Sequence, residues 1–221
     1  MLNVIAPYRL MWKTIMGDTE TAIGALEHES FHAFQGALAP LRLAEAEAAN
    51  RSESEYPWDN AALGEAWKHE TGLLVEAIRA SSNEEAAKLV RQFLAQRDER
   101  RATAELSQEL RSYERQREWL EGLAKYAELS IQRIAAETPG YTPVTALGAD
   151  PDFKAYTTRE QYWSAQLGEV TRTAGRAGET RFYYSGMAQA VLLDRLLPGW
   201  KERAFEPDVT LEDLLREAIK A

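Results

Sequence analysis

The chain has 221 residues, 45% of them hydrophobic, which is enough to bury one substantial core within a single domain. Its formal charge of −9 argues against a nucleic-acid partner, since phosphate binding needs clustered Lys and Arg. It contains no cysteine, so disulfides, thiolate metal sites and cysteine nucleophiles are excluded. No apolar run reaches the length of a membrane span, and the short stretch from Leu2 to Ala6 is no signal-peptide core. As it stands the sequence reads as cytoplasmic; an export signal upstream would make it exported.

Residues 2–16 mix β-branched and aromatic residues around Pro7, which predicts one or two short strands. Gly17, Asp18 and Thr19 form a turn that caps a helix over 20–38, with Ile23, Leu26, Phe31 and Phe34 at helical spacing. An Ala- and Glu-rich helix over 41–50 and a polar loop over 51–59 follow. Asp59 or Asn60 then caps a helix over 61–80. Ser82 and Glu85 read as a capping box. From there to Glu137 the chain lacks proline and predicts long helices, broken near Arg97–Arg101. The RDERR run at that break reads as a solvated face. Residues 138–152, with three prolines, predict a long loop. Helices over 158–170 and 183–197 and a short last helix capped at Thr210 complete the chain.

The chemistry concentrates in His28-Glu29-Ser30-Phe31-His32. Two histidines at i and i+4 put both imidazoles on one helical face, where they can hold one zinc ion. Glu29 then sits where a general base acts on a metal-bound water. The chain has only three histidines, and two of them form this pattern. A third protein ligand is still required. His69 and Glu70 are candidates from the middle of the chain, among many acidic residues.

The segment Trp119-Leu120-Glu121-Gly122-Leu123-Ala124-Lys125-Tyr126 resembles the W-L-x-E-G-x-A-x-Y helix of gluzincin peptidases such as the aminopeptidase N group, with one residue fewer between Leu and Glu. By that resemblance Glu121 is the third zinc ligand and Gly122 lets its helix pass close to the catalytic helix. Glu118, three residues earlier on the same helical face, is the fallback, and Glu128 is placed to hydrogen-bond a ligating histidine. Tyr183-Tyr184-Ser185-Gly186, ahead of an apolar helix, is similar to the Y-x-x-G segment of the same peptidases. There the tyrosine hydroxyl stabilises the oxyanion; here that is Tyr183, with Tyr184 the alternate.

The resemblance implies one zincin-like metallopeptidase catalytic domain over residues 1–221. Its fold is expected to be mainly α with a small β segment near the N-terminus. Because His32 and Glu121 stand far apart, residues 41–112 are expected to form a helical insertion between the two zinc-binding helices. The implied activity is hydrolysis of a peptide or protein substrate, with Zn2+ on His28, His32 and Glu121, Glu29 as base, Tyr183 as oxyanion donor and the early strand aligning the substrate. Two other readings stand beside it. Glu29-x-x-His32 is a half-signature of di-iron helical bundles. No second Glu-x-x-His accompanies it, since Ala66 lies three residues before His69. A non-catalytic interaction domain is the other.

Overall fold

The computed structural model describes residues 18–220. Among them every regular element is helical. The helices are α1 (Thr19–Leu38), α2 (Pro40–Ala48), α3 (Ala61–Arg79), α4 (Asn83–Thr103), α5 (Gln108–Arg117), α6 (Leu123–Glu137), α7 (Thr145–Gly148), α8 (Arg159–Ala174), α9 (Thr180–Leu196), α10 (Trp200–Arg203) and α11 (Leu211–Ala218). A 3-10 segment over Ala49–Glu55 follows α2, and one π turn over Glu118–Gly122 joins α5 to α6 without interruption.

The expected mainly-α fold with a small β segment is therefore corrected. The strands anticipated over 2–16 lie outside the described residues, and no strand or sheet exists among the rest. The zincin-like architecture fails with it, because among the described residues no sheet edge lies beside the His28 helix. The helical pattern itself follows from local signals. Asp18, Asn60, Ser82, Ser107 and Thr210 each accept a backbone N–H of their helix's first turn. Thr210 and Asp213 complete a capping box. At Ser82 only half of the expected box forms, since Glu85 reaches back to Ser81 instead. The predicted break near Arg97–Arg101 falls after Thr103, where Glu105 takes φ +49°.

Residues 41–112 pack into the same core as the rest. Leu74 and Phe93, from α3 and α4, share one buried cluster with Trp119, Leu123, Met187 and Leu215. The RDERR run is not a solvated face. Arg97, Arg100 and Arg101 are 0–2% exposed. Spacing i, i+3 and i+4 puts them on one stripe of α4, which faces carboxylates from four other elements. Arg97 pairs with Glu70 at 2.7 Å and grips both oxygens of Glu118 at 2.6 and 2.8 Å. Arg100 joins Glu70 at 2.5 Å to Glu114 at 2.6 Å, and Arg101 joins Glu114 to Glu212, each at 2.7 Å. Charges this deep persist because each finds an opposite charge and a hydrogen bond. Burial opposes ionisation of Glu114 and Glu212, but the arginines outweigh it and hold both carboxyls well below the usual range.

Candidate metal centre

Helix α1 carries His28 and His32 on its inner face. Gly24, one turn before His28, lets α1 lie close on α6. A Cβ at that position would stand 3.0 Å from Gln132 Nε2 and 3.1 Å from the Glu128 side chain. Glu121 comes from the π turn. In an α-helix Glu118 and Glu121 would share a face, as the sequence suggests. The wider turn advances each residue by a smaller angle, so the two carboxylates diverge. Glu118 turns to Arg97 and accepts from Ser185 Oγ at 2.6 Å. Glu121 turns to the histidines. Its Oε2 lies 3.2 Å from His28 Nε2 and 3.4 Å from His32 Nε2.

His28, His32 and Glu121 thus offer one ligand atom each, all within 4.8 Å of one another. Two zinc bonds of 2.0–2.1 Å at a tetrahedral angle separate their ligand atoms by about 3.4 Å, which is the spacing found between Glu121 and each imidazole. Two imidazoles and a carboxylate are a donor set that zinc sites with an open position for water use. The fallback ligand Glu118 is locked in the arginine cluster. His69 hydrogen-bonds Gln96 on the surface, and Glu70 is paired with Arg97 and Arg100. None of these joins the triad.

Gln35 ties the two ligand-bearing segments together. It is fully buried on α1. Its Nε2 donates to the carbonyls of Trp119 and Leu120 at 3.0 and 3.3 Å, inside the π turn where the normal helical donors are displaced. Its Oε1 therefore accepts from His32 Nδ1 at 2.8 Å. That fixes His32 with its proton on Nδ1 and turns Nε2 toward Glu121. Nothing in the sequence marked Gln35 beyond its place three residues after His32. Glu128 faces His28 Nδ1 across 4.0 Å, beyond a hydrogen bond, and accepts instead from Lys125 at 2.7 Å and from Tyr162 at 2.5 Å.

The helix of Tyr183 begins at Thr180, so this tyrosine lies in the first turn of α9 and not ahead of a helix. Its position depends on two glycines. A Cβ on Gly122 would stand 2.5 Å from Gly186 Cα, and one on Gly186 would collide with the Glu118 carbonyl oxygen. Gly122 therefore serves the crossing of the π turn with α9, not the approach to the His28 helix. This contact brings Tyr183, one turn before Gly186, to Glu121, one residue before Gly122. The Tyr183 hydroxyl lies within electrostatic reach of the Glu121 carboxylate, and its ring lies parallel to His28 with centroids 5.6 Å apart. Burial, reinforced by the Glu121 charge, pushes the Tyr183 hydroxyl far up, so it stays protonated and a donor. Tyr184 turns away toward Lys125.

Electrostatics keep Glu121 ionised. Burial opposes its charge, but the adjoining His28 and His32 imidazoles, Arg117 and Tyr183 outweigh it and hold it well below the usual carboxylate range. Burial lowers the His32 value, and its bonds to Glu121 and Gln35 more than offset that. Glu29 is exposed at the rim and makes no hydrogen bond or salt bridge among the described residues. Its charge acts on His32. A cavity of about 540 Å³ is lined by residues such as Tyr126, Trp163 and Arg195 and by none of the triad. Compared with family models, curated proteins and solved structures, the chain matches none. Among the described residues no helix is long and apolar enough to cross a membrane.

Proposed function

We propose that this chain is a zinc-dependent peptidase built on an all-helical scaffold, with the metal held by His28, His32 and Glu121. One observation carries the reading. His32, with its Nδ1 proton committed to Gln35, directs Nε2 at a carboxylate that His28 also faces. Two acceptor atoms so opposed need a cation or a proton between them. Zinc bound there would polarise a substrate carbonyl and lower the pKa of a water toward about 7.

The remaining roles belong to the chain. Glu29, unpaired at the rim beside His28, accepts the proton of the attacking water and returns it to the leaving amine. The Tyr183 hydroxyl, protonated and fixed beside Glu121, is the donor available for the developing oxyanion. The crossing at Gly122 and Gly186 and the Gln35 clamp keep these groups in register without cost during reaction. The di-iron alternative gains no support, because Glu29 is exposed and takes no part in the cluster of His28, His32 and Glu121.

Elemental analysis and a peptide-cleavage screen on the wild type and Glu29→Gln test this together. Expected are one zinc per chain in both and activity reduced about 10²- to 10⁴-fold in the variant. A wild type that takes up no zinc after reconstitution overturns the metal site. Equal cleavage by both proteins overturns the role of Glu29.

A further inference from the structure

Glu121 has two oxygens, and the structure treats them differently. Oε2 faces both imidazoles, whereas Oε1 accepts from Arg117 Nη2 at 2.8 Å, one turn earlier on the same helical run. Arg117 is 6% exposed. The same Nη2 lies 2.7 Å from Glu179 Oε2, at the residue just before α9. The guanidinium is therefore anchored between the ligand carboxylate and the start of the helix that carries Tyr183. A free carboxylate can bind a metal through one oxygen or two, and rotation about its last bond decides which. With Oε1 committed to a buried guanidinium, that rotation is blocked.

We propose that Arg117 is a positioning residue that restricts Glu121 to one-oxygen coordination, keeping a further position at the metal open for water and substrate. The inference rests on the metal site proposed above. Glu179 holds the arginine in place from the other side.

Cobalt(II) loaded into the full chain tests this without any assay of activity, because the intensity of its visible bands falls as coordination number rises. Arg117→Gln frees Oε1. Its expected result is one cobalt per chain, weaker visible bands than the wild type, and zinc affinity reduced about 10-fold or more in chelator competition. If that variant fails to fold, because it leaves the half-buried Glu179 without its partner, the charge-neutral pair Arg117→Met with Glu179→Gln is measured in its place, with the same expectation. Bands and zinc affinity unchanged in a folded variant that binds one metal overturn the proposal and leave Arg117 a structural ion pair. A wild type that binds neither cobalt nor zinc instead removes the metal site itself, so the two failures are told apart.

Discussion

Glu118 and Glu121 stand three residues apart on one π turn and enter opposite surroundings. Glu118 closes a buried cluster in which each of three arginines finds carboxylates, and Ser185 completes its hydrogen bonds. Glu121 converges with two imidazoles in a group to which, among the described residues, Arg117 supplies a fixed cation. The first region pairs every one of its arginines with carboxylates from within the chain and contributes to the fold. The second gathers two imidazoles and a carboxylate close together near the surface, where we propose that a cation binds. The difference teaches that burial of charge by itself marks neither role; what distinguishes them is whether the valences are filled from within the chain.

The sharpest break in that comparison is Glu121→Ala. Zinc binding is expected to weaken by more than the roughly 10- to 100-fold typical of an outer-shell partner, with a smaller loss in the urea midpoint of the metal-free protein than Arg100→Met gives, since Arg117 loses the Glu121 carboxylate but keeps Glu179. Chelator competition and denaturation together check it, and zinc retained at wild-type affinity removes Glu121 from the site. Arg100→Met attacks the other region. It strips Glu70 and Glu114 of a partner at full burial, so a stability loss of about 3–5 kcal/mol is expected. Zinc stoichiometry of the folded fraction should stay at the wild-type value.

Gly186→Ala acts on the joint between the regions, since its Cβ collides with the Glu118 carbonyl oxygen. Overpacking of this kind costs about 1–3 kcal/mol. It is expected to lower the thermal midpoint and zinc affinity together; a loss of stability with zinc affinity unchanged would show that the crossing does not position Glu121.

The smallest effect separates the regions by pH. Burial, aided by the nearby Glu128 charge, raises the Glu27 carboxyl from 4.5 to about 7. The fold favours its protonated form, so that contribution is complete below about 4.5 and is lost as pH rises through 7. Glu114 and Glu212 run the other way: their folded values are depressed, so their contribution is complete above about 4.5 and is lost only as pH falls through values well below that. Glu27→Gln in the metal-free protein is therefore expected to add about 1 kcal/mol at pH 8, discounted for its half exposure, and little at pH 4. Urea titrations at the two pH values check the sign. Equal gains at both would mean packing, not ionisation.

Much of the helical order was legible because it depends on neighbours in the chain: caps at Asp18, Asn60 and Thr210, and apolar spacing around His28. The pair His28 and His32 was legible for the same reason, since i, i+4 spacing alone puts two imidazoles on one face. Glu121 could be singled out only through the resemblance of its segment. Its geometry with the histidines depends on a crossing of two glycines that no local rule connects. The separation of Glu118 from Glu121 hangs on a π turn whose carbonyls are met by Gln35, about eighty positions away. Arg97, Arg100 and Arg101 look like surface charge in sequence because their carboxylates come from elsewhere in the chain. What the sequence by itself determined was local helix and the two-histidine face, where the interacting groups lie within a turn of each other. Which charges are buried, which carboxylate meets the histidines and how Arg117 and Gln35 hold it were decided only by tertiary packing, because each depends on groups brought together from distant helices.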